Sequence, residues 1–347
     1  MAIEFRKVMQ YSKILNPLKE FKEDILAIEI RFDPLTGERC DLCTFRLALP
    51  KKTDLNPIIS KSLERGCPFC PNHVNTITPK FPTSLFLEGR LHRGQACLIP
   101  NLTPWFEHNP LAIISKQHYV PLTGFPQTML VDALMLCQTY YNRVEELESK
   151  PRYWSVGWNY MPPSGGSQIH PHLQVAGHTM SSPLEGKVLT ASAKYYQKNR
   201  SLFWRDLIEK ERELGERYLG DIGQTTWLVN YVSRSWLFEI LTIFRERPTF
   251  HDITEEDWLA FTDGLQRVMS YMDVKEIWSF DLVVYSGMKE ANSYSWTYSR
   301  LVPRFLYSPI QASDVSIGRV LYDWCFLVWR PEEVCAELKP YFESSRA

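Results

Sequence analysis

The densest group of chemically useful side chains lies at residues 165–174, which read Gly-Gly-Ser-Gln-Ile-His-Pro-His-Leu-Gln. His170 and His172 are two residues apart on a predicted strand over 169–176, so we expect both rings on one face of it. The preceding glycines would let backbone N–H groups approach a phosphate, and the hydroxyl of Ser167 adds a donor. The cluster suits an anionic ligand, but two histidines at this spacing are by themselves more often ordinary strand residues.

Four of the eight cysteines form two Cys-x-x-Cys pairs, Cys40 with Cys43 and Cys67 with Cys70. Pairs at this spacing are typical of metal sites, and the chain shows no export signal that would favour disulfides. The two pairs are 23 residues apart and would be able to form a four-cysteine zinc ribbon. The other cysteines are expected to be buried thiols: Cys97, Cys137, Cys325 and Cys335.

The charge balance of the chain disfavours generic nucleic-acid binding. Its 347 residues carry 39 Lys and Arg against 40 Asp and Glu, a net charge of −1. Without an overall positive field, neither nucleic acid nor a membrane surface is an expected partner. No apolar run reaches the ~20 residues that span a bilayer, and the first residues do not resemble a signal peptide. We therefore expect a soluble, cytoplasmic protein with reduced cysteines.

Hydrophobic periodicity predicts the elements that would position the histidines. Apolar residues at helical spacing predict a helix over 127–147, and a strand over 153–160 precedes the glycine-rich loop. The same order of helix, strand, loop and strand recurs in the second half, which suggests an internal duplication. The predicted elements of that half cover 254–272, 280–285, 296–302 and a terminal helix at 331–342.

Two segments outside this pattern are less regular in sequence. Residues 1–25 are rich in charge and are predicted to be a partly helical lead-in. Residues 50–83 are rich in Pro, Asn, Lys and Thr and predict a long irregular excursion. Because this excursion contains the second cysteine pair, a bound metal would hold it in place.

Residues 165–174 closely resemble the active-site signature of the galactose-1-phosphate uridylyltransferase branch of the histidine triad superfamily, Gly-Gly-Ser-x-x-His-Pro-His-x-Gln. Other segments resemble further motifs of that family and follow its order. They are 31–38 (Arg-Phe-Asp-Pro-Leu-Thr-Gly-Glu), 67–70 (Cys-Pro-Phe-Cys), 99–104 (Ile-Pro-Asn-Leu-Thr-Pro), 115–118 (Ser-Lys-Gln-His) and 158–159 (Trp-Asn). The resemblance is strong over about residues 29–178 and faint afterwards.

This resemblance implies an α+β fold of two histidine-triad-like repeats that share an antiparallel sheet with flanking helices. The first repeat would span residues 1–180 and carry the zinc hairpin and the active-site motif. The second, degenerate repeat would span residues 181–347. A homodimer is also implied.

The implied reaction is nucleotidyl transfer in two steps. His172 would attack the α-phosphorus of a nucleotide sugar and displace a sugar 1-phosphate, whose second pKa of about 6 makes it a good leaving group. Gln174 would hydrogen-bond the phosphoryl oxygens of the covalent intermediate, and a second sugar phosphate would then accept the nucleotide. The implied nucleotide- and phosphate-binding residues are Arg46, Asn101, Asn159 and Ser167.

For the second cysteine pair the resemblance implies a structural zinc site with four ligands and no open position. Its ligands would be Cys67, Cys70, His118 and His170. The zinc would fasten the 50–83 segment to the strand that bears His172. The four-cysteine ribbon ranks second, because the family has apolar residues and no ligands where this chain has Cys40 and Cys43.

The chain departs from the family in its second half. Seven of the eight histidines precede residue 180, and the strand near 295–303 has none where some members hold another metal. Leu102 stands where uridine-specific members often carry Asp, so the base is open. A phosphorylase that acts on ADP-glucose or a dinucleoside polyphosphate, with inorganic phosphate as acceptor, uses the same nucleophile. A nucleotide-binding protein without turnover is the remaining hypothesis.

Overall fold

An antiparallel sheet of ten strands dominates the part of the chain that the computed structural model describes. That part comprises residues 3–46, 53–148, 150, 152–291, 293–307 and 312–343. The strands are β1 Lys7–Asn16, β2 Lys22–Phe32, β3 Arg39–Leu42, β4 Leu91–Arg93, β5 Ala96–Pro100, β6 Pro110–Ile113, β7 Tyr153–Tyr160, β8 His172–His178, β9 Tyr218–Ile222, β10 Thr225–Val229, β11 Ile240–Phe244, β12 Ser279–Tyr285, β13 Tyr298–Arg304, β14 Leu306–Tyr307, β15 Ala312–Ser313 and β16 Cys325–Leu327. The helices are α1 Asn56–Glu64, α2 Pro71–Ile77, α3 Gln127–Leu147, α4 Pro183–Asn199, α5 Phe203–Leu214, α6 Glu255–Val274, α7 Ile317–Leu321 and α8 Pro331–Glu343.

The strand order of this sheet is symmetric. It runs β4-β5-β6-β8-β7-β12-β13-β11-β10-β9, with antiparallel pairing throughout. From one edge the strands are β4, β5, β6, β8 and β7, and from the other edge they are β9, β10, β11, β13 and β12, which is the same pattern of chain order. Two five-stranded halves therefore meet where β7 pairs with β12. The α+β class with two similar units in one antiparallel sheet is confirmed. The boundary at residue 180 stays a prediction.

One face of the sheet is buried beneath α3 and α6. Alternate residues of β7 point to this face, and they are Trp154, Val156, Trp158 and Tyr160, each at most 4% exposed. Period-two alternation of large apolar side chains is what makes this segment a half-buried strand. These side chains join the apolar residues of both helices in one core.

The helices α3 and α6 have clear sequence causes and match the predictions closely. A capping box starts α6, because the Thr254 hydroxyl accepts from the N–H of Asp257 and the Asp257 carboxylate accepts from the N–H of Thr254. The helices are joined by Gln138, whose amide accepts from the Trp258 indole at 2.7 Å. Within the described ranges, no helix is long and apolar enough to cross a membrane.

The prediction of a partly helical lead-in over residues 1–25 is wrong for the residues described. From Lys7 onward this segment forms an antiparallel hairpin of β1 and β2. The turn holds Glu20 and Phe21 at φ of 56° and 58°, and the hydrogen bonds of the hairpin lie between its strands. The charged residues that suggested a helix lie exposed along this ribbon. Cross-strand pairing therefore overrides local propensity here.

Residues 50–83 are more regular than predicted, although 50–52 lie outside the described residues. Two helices, α1 and α2, occupy much of the segment. The second begins at Pro71, directly after Cys70, where the fixed φ of proline suits the first helical position. The expectation of an irregular excursion is corrected to two short helices around the cysteine pair.

A smaller sheet, in the order β1-β2-β3-β16, joins the N-terminal motif to the end of the chain. Cys40 of β3 lies opposite Cys325 of β16 in parallel register. Arg31 of β2 is 2% exposed and bonds to the carboxylates of Glu29 at 2.7 Å and Glu332 at 3.0 Å. Because Glu332 lies in the first turn of α8, this buried ion pair holds that helix against the sheet.

A glycine in α6 allows this helix to pack closely on the sheet. A Cβ added at Gly264 would fall 2.2 Å from a ring carbon of Trp227, a buried side chain whose indole N–H donates to Thr225. Since the ring has no room to move, we expect Gly264→Ala to lower the free energy of unfolding by about 1–3 kcal/mol. Urea denaturation measures this loss.

The matched control for this prediction is Gly186→Ala in α4. A Cβ at Gly186 would approach only the rotatable hydroxyl of Ser181, at 2.6 Å. Alanine also favours a helix by about 1 kcal/mol over glycine, so the stability should hold or rise. Equal losses in the two variants would contradict the packing explanation.

Candidate functional site

Two cysteines and two histidines from separate parts of the chain converge on one point. Donor atoms of Cys67, Cys70, His118 and His170 lie within 4.8 Å of one another. The Nδ1 of His170 is 3.7 Å from each thiol sulfur, and the Nδ1 of His118 is 3.5 Å from the Cys70 sulfur. A tetrahedral zinc ion places its sulfur and nitrogen ligands about 3.5 Å apart. The four residues therefore fit a metal ion of that size.

Hydrogen bonds hold the cysteine hairpin and His170 in place. In the cysteine hairpin, the N–H of Cys70 donates to the carbonyl of Cys67 at 3.4 Å. His170 is fully buried, and its Nε2 donates to the carbonyl of Ser115 at 2.7 Å. This bond fixes the tautomer and leaves Nδ1 as the ligand atom that faces the thiols. Burial lowers the pKa of His170 to about 4, which keeps the imidazole neutral.

The two Cys-x-x-Cys pairs do not come together. Cys40 lies in the smaller sheet beside Cys325, and its thiol donates to the carbonyl of Ser233 at 3.6 Å. Among the described residues, the cluster that includes Cys67 contains neither Cys40 nor Cys43. The ribbon hypothesis is therefore not supported by the geometry. The four cysteines expected to be buried thiols are buried.

The proposed nucleophile, His172, is oriented by the residue two positions before it. Its Nδ1 donates to the backbone carbonyl of His170 at 2.9 Å, so Nε2 carries the lone pair. The ring is 8% exposed, and burial lowers its pKa below the ordinary value. Phe69, from the cysteine hairpin, packs against it with ring centroids 5.1 Å apart. The imidazole is thus neutral and held from two sides.

The strand that carries His172 begins later than predicted. The sequence predicts 169–176, whereas β8 covers His172–His178. Pro171 cannot donate a ladder hydrogen bond, and the His170 side chain is committed to the thiols and to Ser115. His170 therefore lies in the loop before the strand, and the two histidines do not share a strand face as predicted.

Gln174 lies on β8 at the start of a hydrogen-bond chain that crosses the sheet. Its Nε2 is 3.5 Å from Oδ1 of Asn159 on β7, a long contact. The Nδ2 of Asn159 donates to the carbonyl of Ser164 and to Oδ1 of Asp281 on β12, both at 2.8 Å. Both amide hydrogens of Asn159 are in use, and its carbonyl oxygen faces Gln174 and orients it. A direct contact between Nδ2 of Asn159 and a phosphate would break one of these two bonds.

The chain ends in the second half of the sheet. Arg304 of β13 donates to the other oxygen of Asp281 at 2.7 Å and is also bound to Asp314. Burial raises the pKa of Asp281, and the Arg304 guanidinium opposes this shift. Neither Asp281 nor Arg304 was predicted from the sequence. The only signal for Asp281 was that it is a single acidic residue in an apolar strand.

The glycine-rich loop is tightly shaped by its neighbours. Met161 has φ of 69° and ψ of 161°, a conformation that is nearly confined to glycine. Gly165 has φ of 83°, and a Cβ at Gly166 would lie 3.0 Å from the carbonyl oxygen of Asn159. Ser167 is exposed after this turn. The loop therefore offers its backbone and the Ser167 hydroxyl to solvent near β8.

Two of the proposed binding residues lie elsewhere. The amide of Asn101 donates to Asn109 at 2.9 Å, and Asn109 in turn donates to the carbonyl of Val175 on β8. Asn101 thus belongs to the loop between β5 and β6, next to the middle of β8. Arg46 is exposed, with its guanidinium carbon 6.0 Å from the ring centre of Trp236 in the second half.

Comparisons with known proteins place this architecture among solved structures. No family model matches the chain. A protein of Archaeoglobus fulgidus, described only as uncharacterized, is 28% identical over 339 residues, with 97% of this chain and 98% of that protein covered. A uridylyltransferase structure is similar with a TM-score of 0.66 and 20% identity, over 90% of this chain and 98% of that one.

Two proteins of Arabidopsis thaliana are similar over 92% of this chain at 16% identity. A galT-like protein gives a TM-score of 0.69 with 99% of its chain covered. An ADP-glucose phosphorylase solved with bound ADP-glucose gives 0.71 with 100% covered. The chain has the galactose-1-phosphate uridylyltransferase fold. In this fold, His172 lies on the first half of the shared sheet, and the cluster of Cys67, Cys70, His118 and His170 lies in the loops beside it.

Proposed function

We propose that this protein is a nucleotidyltransferase in which Nε2 of His172 carries the nucleotide. The observation that carries the proposal is the bond from Nδ1 of His172 to the carbonyl of His170, which leaves Nε2 as a neutral nucleophile. A neutral imidazole nitrogen is a good nucleophile near pH 7. The uridylyltransferase fold supports the same interpretation.

The proposed first step makes one bond and breaks one. Nε2 of His172 attacks the α-phosphorus of a nucleotide sugar, the N–P bond forms, and the P–O bond to the sugar phosphate breaks with its electron pair on oxygen. The proton stays on Nδ1 of His172. Its hydrogen bond to the carbonyl of His170 stabilises the positive charge that develops on the ring. In the second step, the oxygen of a second phosphate attacks the same phosphorus and releases His172.

The charge that develops on the phosphoryl oxygens needs hydrogen-bond donors. Gln174 is two residues from His172 on β8, and one of its two amide hydrogens faces Asn159. The second hydrogen is proposed to bind a phosphoryl oxygen, and the exposed hydroxyl of Ser167 is proposed to bind the adjacent phosphate. Asn101 and Arg46 are retained as proposed contacts to the rest of the nucleotide.

The acceptor defines the overall reaction. A hexose 1-phosphate as acceptor gives a uridylyltransferase-like exchange between nucleotide sugars. With inorganic phosphate as acceptor, the enzyme would be an ADP-glucose phosphorylase. This is the second candidate, and the similar structure with bound ADP-glucose supports it. Both reactions share the same first step, so one assay of that step tests them together. A homodimer is proposed for either.

We further propose that the Cys67, Cys70, His118 and His170 cluster holds a structural zinc ion. All four ligand positions are filled by the protein, which leaves none for a substrate. The ion would supply no chemistry to the reaction. It would fasten the hairpin that bears Phe69 to the backbone of His170, and both of these contact His172.

The nucleophile is tested by intact-mass measurement at neutral pH after incubation with UDP-glucose or ADP-glucose. Wild-type protein should gain the mass of UMP or AMP, and His172→Asn should gain nothing because it lacks Nε2. The adduct identifies the base. Addition of galactose 1-phosphate or inorganic phosphate should then discharge it, which identifies the acceptor. Nucleotide binding without any adduct in wild type would leave a non-catalytic binding protein.

The hydrogen-bond chain behind Gln174 is tested with Asp281→Asn. Asp281 accepts from Asn159 with one oxygen and from Arg304 with the other, and the single carbonyl oxygen of an asparagine cannot serve both, so Gln174 loses its support. We expect the rate of adduct formation to fall about tenfold, with donor affinity changed by less than about twofold. The matched control is Asp132→Asn on α3, which breaks the 2.9 Å ion pair between Asp132 and Arg93 of β4. Equal slowing in both variants would argue against the chain.

The zinc proposal is tested by metal content after purification. Wild type should contain about one zinc per chain, and Cys70→Ser should contain almost none, since a hydroxyl is a poor zinc ligand. Cys43→Ser, in the other Cys-x-x-Cys pair, should keep its zinc. Loss of zinc from the Cys43 variant with retention in the Cys70 variant would instead support the ribbon.

A further inference from the structure

A basic cleft lies on the second half of the molecule, away from His172. It has a volume of about 680 Å³ and lies between α4 and the turn at residues 34–36. Three lysines of α4 line it, Lys187, Lys194 and Lys198, together with the hydroxyl-bearing Thr36 and Thr190. None of the three lysines forms an ion pair with a described residue. They therefore present uncompensated positive charge to this cleft.

The cleft adjoins the symmetry counterpart of the catalytic strand. In the sheet, Gln174 lies opposite Gly157, Gly157 opposite Val283, and Val283 opposite Arg300. The exchange of halves therefore maps Gln174 onto Arg300 and His172 onto Tyr298. A second cavity, which shares residues 34–36 with the first, is lined by both Arg300 and Tyr298. The cleft thus lies beside the positions of the second half that are related to His172 and Gln174.

Two of the acidic groups near this position are paired with arginines. Glu239 accepts from Nε of Arg300 at 2.5 Å, and Glu38 is paired with Arg234. The Asp33 carboxylate accepts from the N–H and hydroxyl of Thr36, which leave its charge in place. Three lysines of α4 therefore face one unpaired carboxylate, so the cleft keeps a net positive charge that attracts anions.

The second cavity contains a buried donor without a partner. Trp204 lines this cavity and is 4% exposed, and its indole N–H is buried without a hydrogen-bond partner among the described residues. The cavity has a volume of about 30 Å³, which gives room for one water molecule as acceptor and not for a phosphate. Its ring also stacks on Tyr298, with centroids 4.7 Å apart, to form an apolar floor.

We propose that this cleft binds a small molecule with at least two phosphate groups, such as a nucleoside diphosphate or triphosphate. Lys194 and Lys198 are one helical turn apart, about 6 Å along the helix, a spacing that two or three linked phosphates can match. The site is separate from the catalytic one, because β13 lies three strands from β8, about 14 Å away. It stands or falls independently of the proposed nucleotidyl transfer.

The test measures binding of tripolyphosphate to the full chain by calorimetry. The variant carries Lys187→Gln, Lys194→Gln and Lys198→Gln, which keep helix propensity and remove three charges. We expect its dissociation constant to rise at least tenfold. The control variant changes three exposed hairpin lysines, Lys7, Lys13 and Lys22, to Gln and should bind as wild type does. Thermal melts confirm that both variants fold.

Hydrogen exchange with tripolyphosphate locates the site. Protection of residues 183–199 and 33–37 in wild type, lost in the α4 variant, is the expected result. Equal weakening of binding in both triple variants would show attraction by net charge alone and overturn the proposal. Protection confined to residues 165–174 would also overturn it, since the probe would then occupy the catalytic site. Orthophosphate should bind at least tenfold more weakly than tripolyphosphate.

Discussion

The site depends on the three hydrogen-bonding groups of His170. Its Nδ1 faces the two thiols, its Nε2 donates to Ser115, and its backbone carbonyl accepts the Nδ1 proton of His172. His170 thereby fixes three features: the geometry of the cysteine–histidine cluster, the tautomer of its own ring and the orientation of the His172 ring. A shift of His170 would move the proposed nucleophile and the ligand cluster together. For this reason the cysteine hairpin, although distant in sequence, helps to position the residues of β8.

The second half of the sheet contributes structure to the first. Asp281 lies on the strand that pairs with β7, and its two oxygens receive Asn159 from one side and Arg304 from the other. Asn159 is thereby held with its carbonyl oxygen toward Gln174. The junction of the two halves is thus part of the proposed catalytic machinery. A first repeat without β12 would leave Asn159 with a free amide hydrogen and Gln174 without a fixed neighbour.

Local signals in the sequence predicted the elements whose structure is decided locally. The bounds of α3 and β7 follow from apolar spacing, and the start of α6 follows from its Thr254 cap. The N-terminal hairpin was missed because pairing between its strands, and not residue propensity, determines it. The start of β8 was missed because His170 is held by side-chain contacts 55 or more residues away. Asp281 acquires its role only through the register of β7 with β12, which no local pattern encodes.

The two halves of the sheet place different side chains at related positions. At the position related to Gln174, the second half carries Arg300, whose charge is permanent because a guanidinium keeps its proton at all physiological pH values. Burial alone would lower the pKa of Arg300, but the Glu239 carboxylate outweighs burial, so the pKa is raised further. A fixed cation at this depth repels metal ions, whereas the first half places neutral imidazoles and thiols beside β8, and these suit a metal. The strand β13, which carries no histidine, therefore differs from β8 in the charge it presents and not only in lacking a nucleophile.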